Sequence, residues 1–455
     1  MHRMSKKHSL DMTHGSVPKL LINFVFPLII TNLLQQLYTA TDSAIIGRFA
    51  GKTALASVGA TGYATGLILN LLIGLSLGAN IINANHLGNK EAAALRRSMH
   101  CSLLVALYGG ILISIIGILI APFMMQWTNC PENIMYDAVL YMRIIFCGAP
   151  GTMLYNFGAG ILRTHGDSKR PMYIMAICGL VNVILNLIFV IYFRMTVDGV
   201  ALATIISNYL SAGAVLFILF DRKGLYHLKI NELILHKKDT YEIIRIGLPC
   251  GINSIVFSVS NTVVQYGVNA LGDAVVAGSA ACNNITGILY QVLHAFYAAC
   301  VNFSGQCYGA AKYKRIDQLA IWSSSICVSF MISASIVVTL MPQAFIRIFN
   351  TDPDVIIAGS EKLIIVCWSY VLYAVMETIM GCLRGMRQTT IPSIINMISV
   401  CFIRVMWILV IAPVFPGDRI FLFSCYPISY IVGFAAIFCF YLHTRKVQTR
   451  KYLAA

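Results

Sequence analysis

Acidic side chains are scarce in this chain. Asp and Glu number 18 among 455 residues, against 33 Lys and Arg, and charged residues of both signs make up only 11%. A soluble domain carries about a quarter charged residues, so a water-facing globular fold is excluded. The 14 cysteines stand singly, mostly within apolar runs, with no Cys-x-x-Cys and no metal-ligand spacing. They suit buried small hydrophobes rather than a disulfide framework or a metal site. His-Glu-x-x-His, Gly-x-Ser-x-Gly and Walker sequences are all missing, so neither an enzyme nor a direct ATP-driven pump is expected, and no cofactor is called for. The basic residues are dispersed between apolar runs instead of clustering, which argues against nucleic acid despite a net charge of +15.

What the chain has is hydrophobic length. Apolar residues make up 58% and the mean hydropathy is +0.76. A helix crosses a bilayer with about 20 mostly apolar residues. The polar, basic stretch 1–19 has no apolar core, and the run after it is too long for a signal-peptide core, so a retained first span is expected. Spans are predicted near 20–46, 54–82, 98–125, 135–159, 171–193 and 199–220. After a polar linker at 221–242 they resume near 243–268, 274–303, 319–343, 356–381, 391–413 and 419–442, and 443–455 is a polar tail. With both termini cytoplasmic, inner segments hold 25 of the 33 basic residues. Outer loops hold only Arg48, Lys52, Arg194, Arg347, Lys362 and Arg419. Basic residues favour the cytoplasmic side, so a multi-pass cell-membrane protein with its termini and the 221–242 linker inside is predicted.

The chain also repeats itself. GILRTHGDSKRP at 160–171 matches GCLRGMRQTTIP at 381–392, displaced by 221 residues. The same offset pairs Gly51 with Gly272, Ala56 with Ala277, Thr41 with Thr262 and Gly88 with Gly309, while Pro27 and Pro249 differ by 222. One offset through separated polar loops indicates an internal duplication. Six spans per copy is an even number, so the halves 20–220 and 243–442 enter the membrane in the same orientation, as parallel repeats.

An ionisable group inside lipid is costly and marks a functional position by default. Only Asp42 and Glu377 among the acids lie well within spans. Asp42 falls in the outer half of the first span, with Gln35 and Tyr38 seven and four residues before it on one helical stripe. Two roles are open to it: a functional carboxylate, or an outer helix-end partner for Arg48 or Lys52. Asn182 and Asn186 stand one turn apart in span five, where amides commonly bond between helices. At offset 221 the trio Asp42, Asn182 and Asn186 faces Val263, Ile403 and Trp407, which favours a site particular to the first half. Glu377 lies about 10 Å from the cytoplasmic end of its span. It suits a substrate or ion site, or an ion pair with an arginine such as Arg404. Arg163 and Arg384 read as cytoplasmic anchors.

From about Pro18 to Thr444 the chain resembles the MATE family, the multidrug and toxic compound extrusion transporters. The resemblance is carried by TDSAIIGRFAGKTALASVGA, LRTHGDSKRP and CLRGMRQTTIP within the twelve-span frame. It implies an all-α membrane protein of twelve transmembrane helices, its two six-helix repeats forming a V-shaped pair of lobes. It also implies a secondary antiporter, exchanging amphipathic, often cationic drugs for H+ or Na+ by alternating access, with antibiotic resistance as a consequence. Asp42 occupies the family's coupling-acid position, with Asn182, Asn186 and Thr204 lining the same pocket. Gln35, Tyr38 and Glu377 are expected along the substrate cavity, with a monomer as the functional unit. Span seven lacks an acid between Glu242 and Asp273, where some sodium-coupled members carry one, and that puts a second sodium site in doubt. The alternative is a lipid-linked saccharide flippase of the same superfamily, ranked second because no strongly cationic cavity is evident.

Overall fold

The computed structural model describes residues 10–128, 130–221, 228–415 and 417–453, and every regular element among them is helical. The helices are α1 (Val17–Ala50), α2 (Lys52–Gly88), α3 (Ala92–Trp127), α4 (Glu132–Cys147), α5 (Ala149–Thr164), α6 (Lys169–Tyr192) and α7 (Val197–Phe220). After them come α8 (Lys237–Asn269), α9 (Asp273–Gly309), α10 (Tyr313–Leu340), the short α11 (Pro342–Arg347), α12 (Pro353–Gly385), α13 (Thr390–Val414) and α14 (Arg419–Val447). Eleven are long and apolar enough to cross a membrane. A twelfth span is α4 with α5, bent by 43° at Gly148 where Pro150 opens the second helix. Lipid offers the backbone no hydrogen bonds, so helices that satisfy their own are the stable solution. Hydroxyl side chains do likewise by bonding to the carbonyl one turn back, as Thr31 does to Pro27 at 2.8 Å.

The chain forms two compact units, one comprising Met1–Gly15 and Ile22–Ile252, the other Ser16–Leu21 and Asn253–Ala455. The helical part of α8 begins at Lys237, inside the stretch expected to be linker. Residues 237–242 are polar but helix-competent, and Asp239 in the first turn receives Arg97 Nε at 2.7 Å. Arg96 similarly reaches Glu232. Within the first unit α8 crosses α2 at contact distance. A Cβ on Gly74 would lie 2.2 Å from the Gly251 nitrogen, and one on Gly78 2.6 Å from the Gly247 nitrogen. Two small-x-x-x-small pairs therefore let the backbones touch.

The duplication is visible in the backbone. Left-handed residues recur at offset 221: Gly51 (φ 89°) with Gly272 (94°), Lys90 (59°) with Ala311 (53°), and Gly166 (81°) with Arg387 (64°). Inside two helices, however, the offset is 222. Helix α1 ends in a π-helical turn, Ile46–Ala50, where Gly51 N–H donates to the Ile46 carbonyl five residues back; α8 is regular throughout Lys237–Asn269. The bulge absorbs one extra residue, which accounts for the displaced prolines. Helix α13 carries an additional π-helical turn at Met397–Phe402, which restores 222 for the residues beyond it. Burial agrees: the buried pair Asn182 and Asn186 has the spacing and surroundings of the buried pair Arg404 and Ile408, whereas Ile403 and Trp407 are only partly buried. This corrects the equivalences expected from sequence. Asp42, Asn182 and Asn186 correspond to Val264, Arg404 and Ile408.

Candidate functional site

In the first unit, α1, α6 and α7 bring four of the expected residues together. Asp42 Oδ1 accepts a hydrogen bond from Asn186 Nδ2 at 2.5 Å. The same amide donates to Asn182 Oδ1 at 3.2 Å, and Asn182 Nδ2 approaches the Thr204 hydroxyl at 3.5 Å. Thr204 donates to the Val200 carbonyl at 2.9 Å and also acts on the Asp42 carboxylate. The one-turn spacing of the asparagines makes this chain possible, since residues four apart share a helix face. Asn182 and Asn186 are buried, and Asp42 is partly so. Around them pack Ile45, Ile46, Ala54, Val190, Val197 and Val200.

One acceptor here lacks a partner. Asn186 Oδ1 is buried without a hydrogen bond among the described residues, and it belongs to the side chain that donates to Asp42. A carboxylate beside an orphaned amide oxygen is a donor set for a hard cation or a hydrated proton. The outer-end ion pair is not the arrangement found: Asp42 turns to α6, while Arg48 lies 5.8 Å from the Phe49 ring.

Tyr38 is on the same stripe of α1. Its hydroxyl donates to the Ala176 carbonyl at 3.1 Å, and its ring covers Gly179 so closely that a Cβ there would fall 1.8 Å from it. Gln35 is exposed and takes no part in the cluster. Tyr141 of α4, which sequence reasoning did not select, lies within electrostatic reach of Asp42 and packs on the apolar floor. A lone tyrosine in a span carries no signal by itself; only the fold brings it to the acid.

Glu377 belongs to the second unit. It is buried on α12, hydrogen-bonds Tyr373 and interacts electrostatically with Arg384. Arg384 is therefore more than an anchor: it is buried, bonds the Tyr297 hydroxyl and donates to Ser393 at 3.1 Å. Around Glu377 the rings of Tyr290, Tyr373 and Tyr430 stack, Tyr373 and Tyr430 at 4.5 Å between centroids. Lys362, assigned to an outer loop by its position in the sequence, is instead buried within α12.

A family model described as MatE matches residues 27–188 and again 249–410, displaced by 222 at both ends, as the two π-helical turns require. A probable multidrug resistance protein NorM of Thermotoga maritima is 25% identical over 388 residues, covering 84% of this chain and 83% of the relative. A probable multidrug resistance protein YoeA of Bacillus subtilis is 23% identical over 430 residues, covering 92% of each. Among solved structures, a crystal structure of MATE in complex with MaL6 superposes with a TM-score of 0.88 at 19% identity, over 96% of this chain and 98% of that one. The duplicated match spans more than half of the sequence, and the protein is a multi-pass membrane protein of the MatE family.

Proposed function

We propose that this protein is a secondary active efflux antiporter, which exports amphipathic, often cationic compounds in exchange for H+ or Na+ by alternating access. The observation that carries this reading is the Asp42–Asn186–Asn182–Thr204 chain, with its unpartnered buried oxygen beside a carboxylate in the membrane. Such a cluster can hold a cation or proton in one state and release it in another, because the carboxylate's hydrogen bonds come from two separate helices that can shift against α1. The multidrug names of the relatives support the substrate class. Glu377 among stacked tyrosines supports a place for flat cations, through charge pairing and ring stacking. In this reading both termini and the 221–242 linker face the cytoplasm, and the monomer is the working unit.

The test is transport by purified protein in vesicles, with proton and sodium gradients imposed separately and ethidium-like dyes as cargo. Asp42→Asn keeps size and hydrogen bonding but removes titration, so it should insert normally and lose gradient-driven export. Normal pumping by Asp42→Asn alongside failure of Glu377→Gln would move the coupling site to the second unit.

A further inference from the structure

The two repeats place opposite chemistry at equivalent positions. Where the first unit has Asp42, Asn182, Thr204 and Tyr141, the second has Val264, Arg404, Tyr426 and Lys362. The acid has been exchanged for an apolar residue, and two neutral side chains for cations.

Both cations are fully enclosed. Lys362 is 2% exposed and Arg404 0%. Lys362 Nζ donates to Ser279 Oγ at 2.5 Å and Asn283 Oδ1 at 2.8 Å, and lies 5.7 Å from the Phe423 ring. The guanidinium of Arg404 is sandwiched between Tyr426 and Tyr430 at 4.6 and 4.7 Å, with Nε donating to Ser429 at 3.0 Å. Among the described residues neither cation forms an ion pair with a carboxylate; Glu377, which acts on Tyr430, interacts with Arg384. Lys362 and Arg404 lie against rings only three residues apart, Phe423 and Tyr426, and both act on the Cys425 thiol between them.

This leaves donors over. An ammonium has three N–H groups, and among the described residues two acceptors are supplied to Lys362. Arg404 Nη2 is buried with no acceptor among the described residues. Arg404 also hydrogen-bonds Tyr430, but ring faces attract a cation without taking an in-plane N–H bond, so the Nη2 donor is not met by them. Two buried cations without a counter-charge are costly, and a bound anion would satisfy both the charge and the spare donors. Asn283, which holds Lys362, is exposed, so the cluster reaches the surface of the unit.

We propose that the second unit contains a binding site for a small monovalent inorganic anion, held by Lys362 and Arg404. It is the sign-inverted counterpart of the Asp42 cluster. Phe423, against which Lys362 lies, and Cys425 are both buried beside it.

The test uses the full-length protein in detergent, with its melting temperature measured in sodium bromide against sodium gluconate at equal ionic strength. The wild type should show a saturable rise of several degrees in bromide and none in gluconate. Lys362→Met should lose the response and melt higher than wild type in gluconate, because an uncompensated buried charge has been removed. Arg404→Gln should weaken the response. Asp42→Asn should retain it, which separates this site from the coupling cluster. Equal melting of the wild type in the two salts would overturn the proposal, as would an unchanged bromide response in Lys362→Met. Should Lys362→Met not fold, anomalous scattering from bromide-soaked wild-type crystals decides: a peak beside Lys362 and Arg404 supports the site, and its absence refutes it.

Discussion

The bond between Asp42 and Asn186 can be measured through a double-mutant cycle. A hydrogen bond to a charged group contributes about 1.5–3 kcal/mol, and one between neutral groups about 0.5–1.5 kcal/mol. Asn186→Ala in the wild type removes the 2.5 Å bond to Asp42 and the 3.2 Å bond to Asn182. In an Asp42→Asn background the same substitution removes only neutral bonds. The difference, about 1–2 kcal/mol, is the expected coupling energy. Asp42→Asn alone should change stability little, since relief from burying a carboxylate offsets the weaker hydrogen bond. The assay is thermal unfolding of the four proteins in detergent, where about 1 kcal/mol corresponds to roughly 2–4 °C for units of this size. Additivity within about 0.5 kcal/mol would refute the shared bond, and with it the idea that Asn186 orients the coupling carboxylate.

Gly74→Val should lose about 3 kcal/mol, because its side chain meets the Gly251 backbone, whereas Gly59→Ala, with open space at its Cβ, should be neutral or gain about 0.5–1 kcal/mol; thermal unfolding separates them. Burial lowers the His165 imidazole below its ordinary value, partly offset by its bond to the Ile161 carbonyl at 2.9 Å. The folded state therefore resists its protonation, so stability should fall as pH drops below about 6.5, and His165→Gln should lose less between pH 7 and 5. Cysteine-reactive probes should find the 228–236 stretch and the tail after Arg445 on the cytoplasmic side; labelling there from outside intact cells would reverse the topology.

Much of the fold was legible because lipid makes hydrophobic length decisive. Twelve apolar runs gave twelve spans, and the loop beginning at Gly160 recurred at Gly381 with the same left-handed residue, Gly166 or Arg387, at its turn. Asp42 stood out because a carboxylate in a span is rare, and Asn182 and Asn186 because their spacing shares a face. Tyr141 and Lys362 did not stand out. A tyrosine in an apolar run is ordinary, and a lysine near a helix start looks like a loop residue until packing encloses it.

The repeat offset marks where sequence stopped and tertiary structure took over. Counting residues established that the chain is duplicated, since identical turns need the same residues at the same spacing. The prolines at 27 and 249 showed that a one-residue shift exists, but counting could not locate the insertions, because a π-helical turn absorbs an extra residue without a sequence signal at the turn itself. The three-dimensional hydrogen bonding at Ile46–Ala50 decided that Asp42 corresponds to Val264, and that at Met397–Phe402 decided that Asn182 corresponds to Arg404 and not to Ile403. One residue rotates a helix by about 100°, and that rotation separates an apolar second unit from one with a buried arginine at the position of the Asp42 cluster.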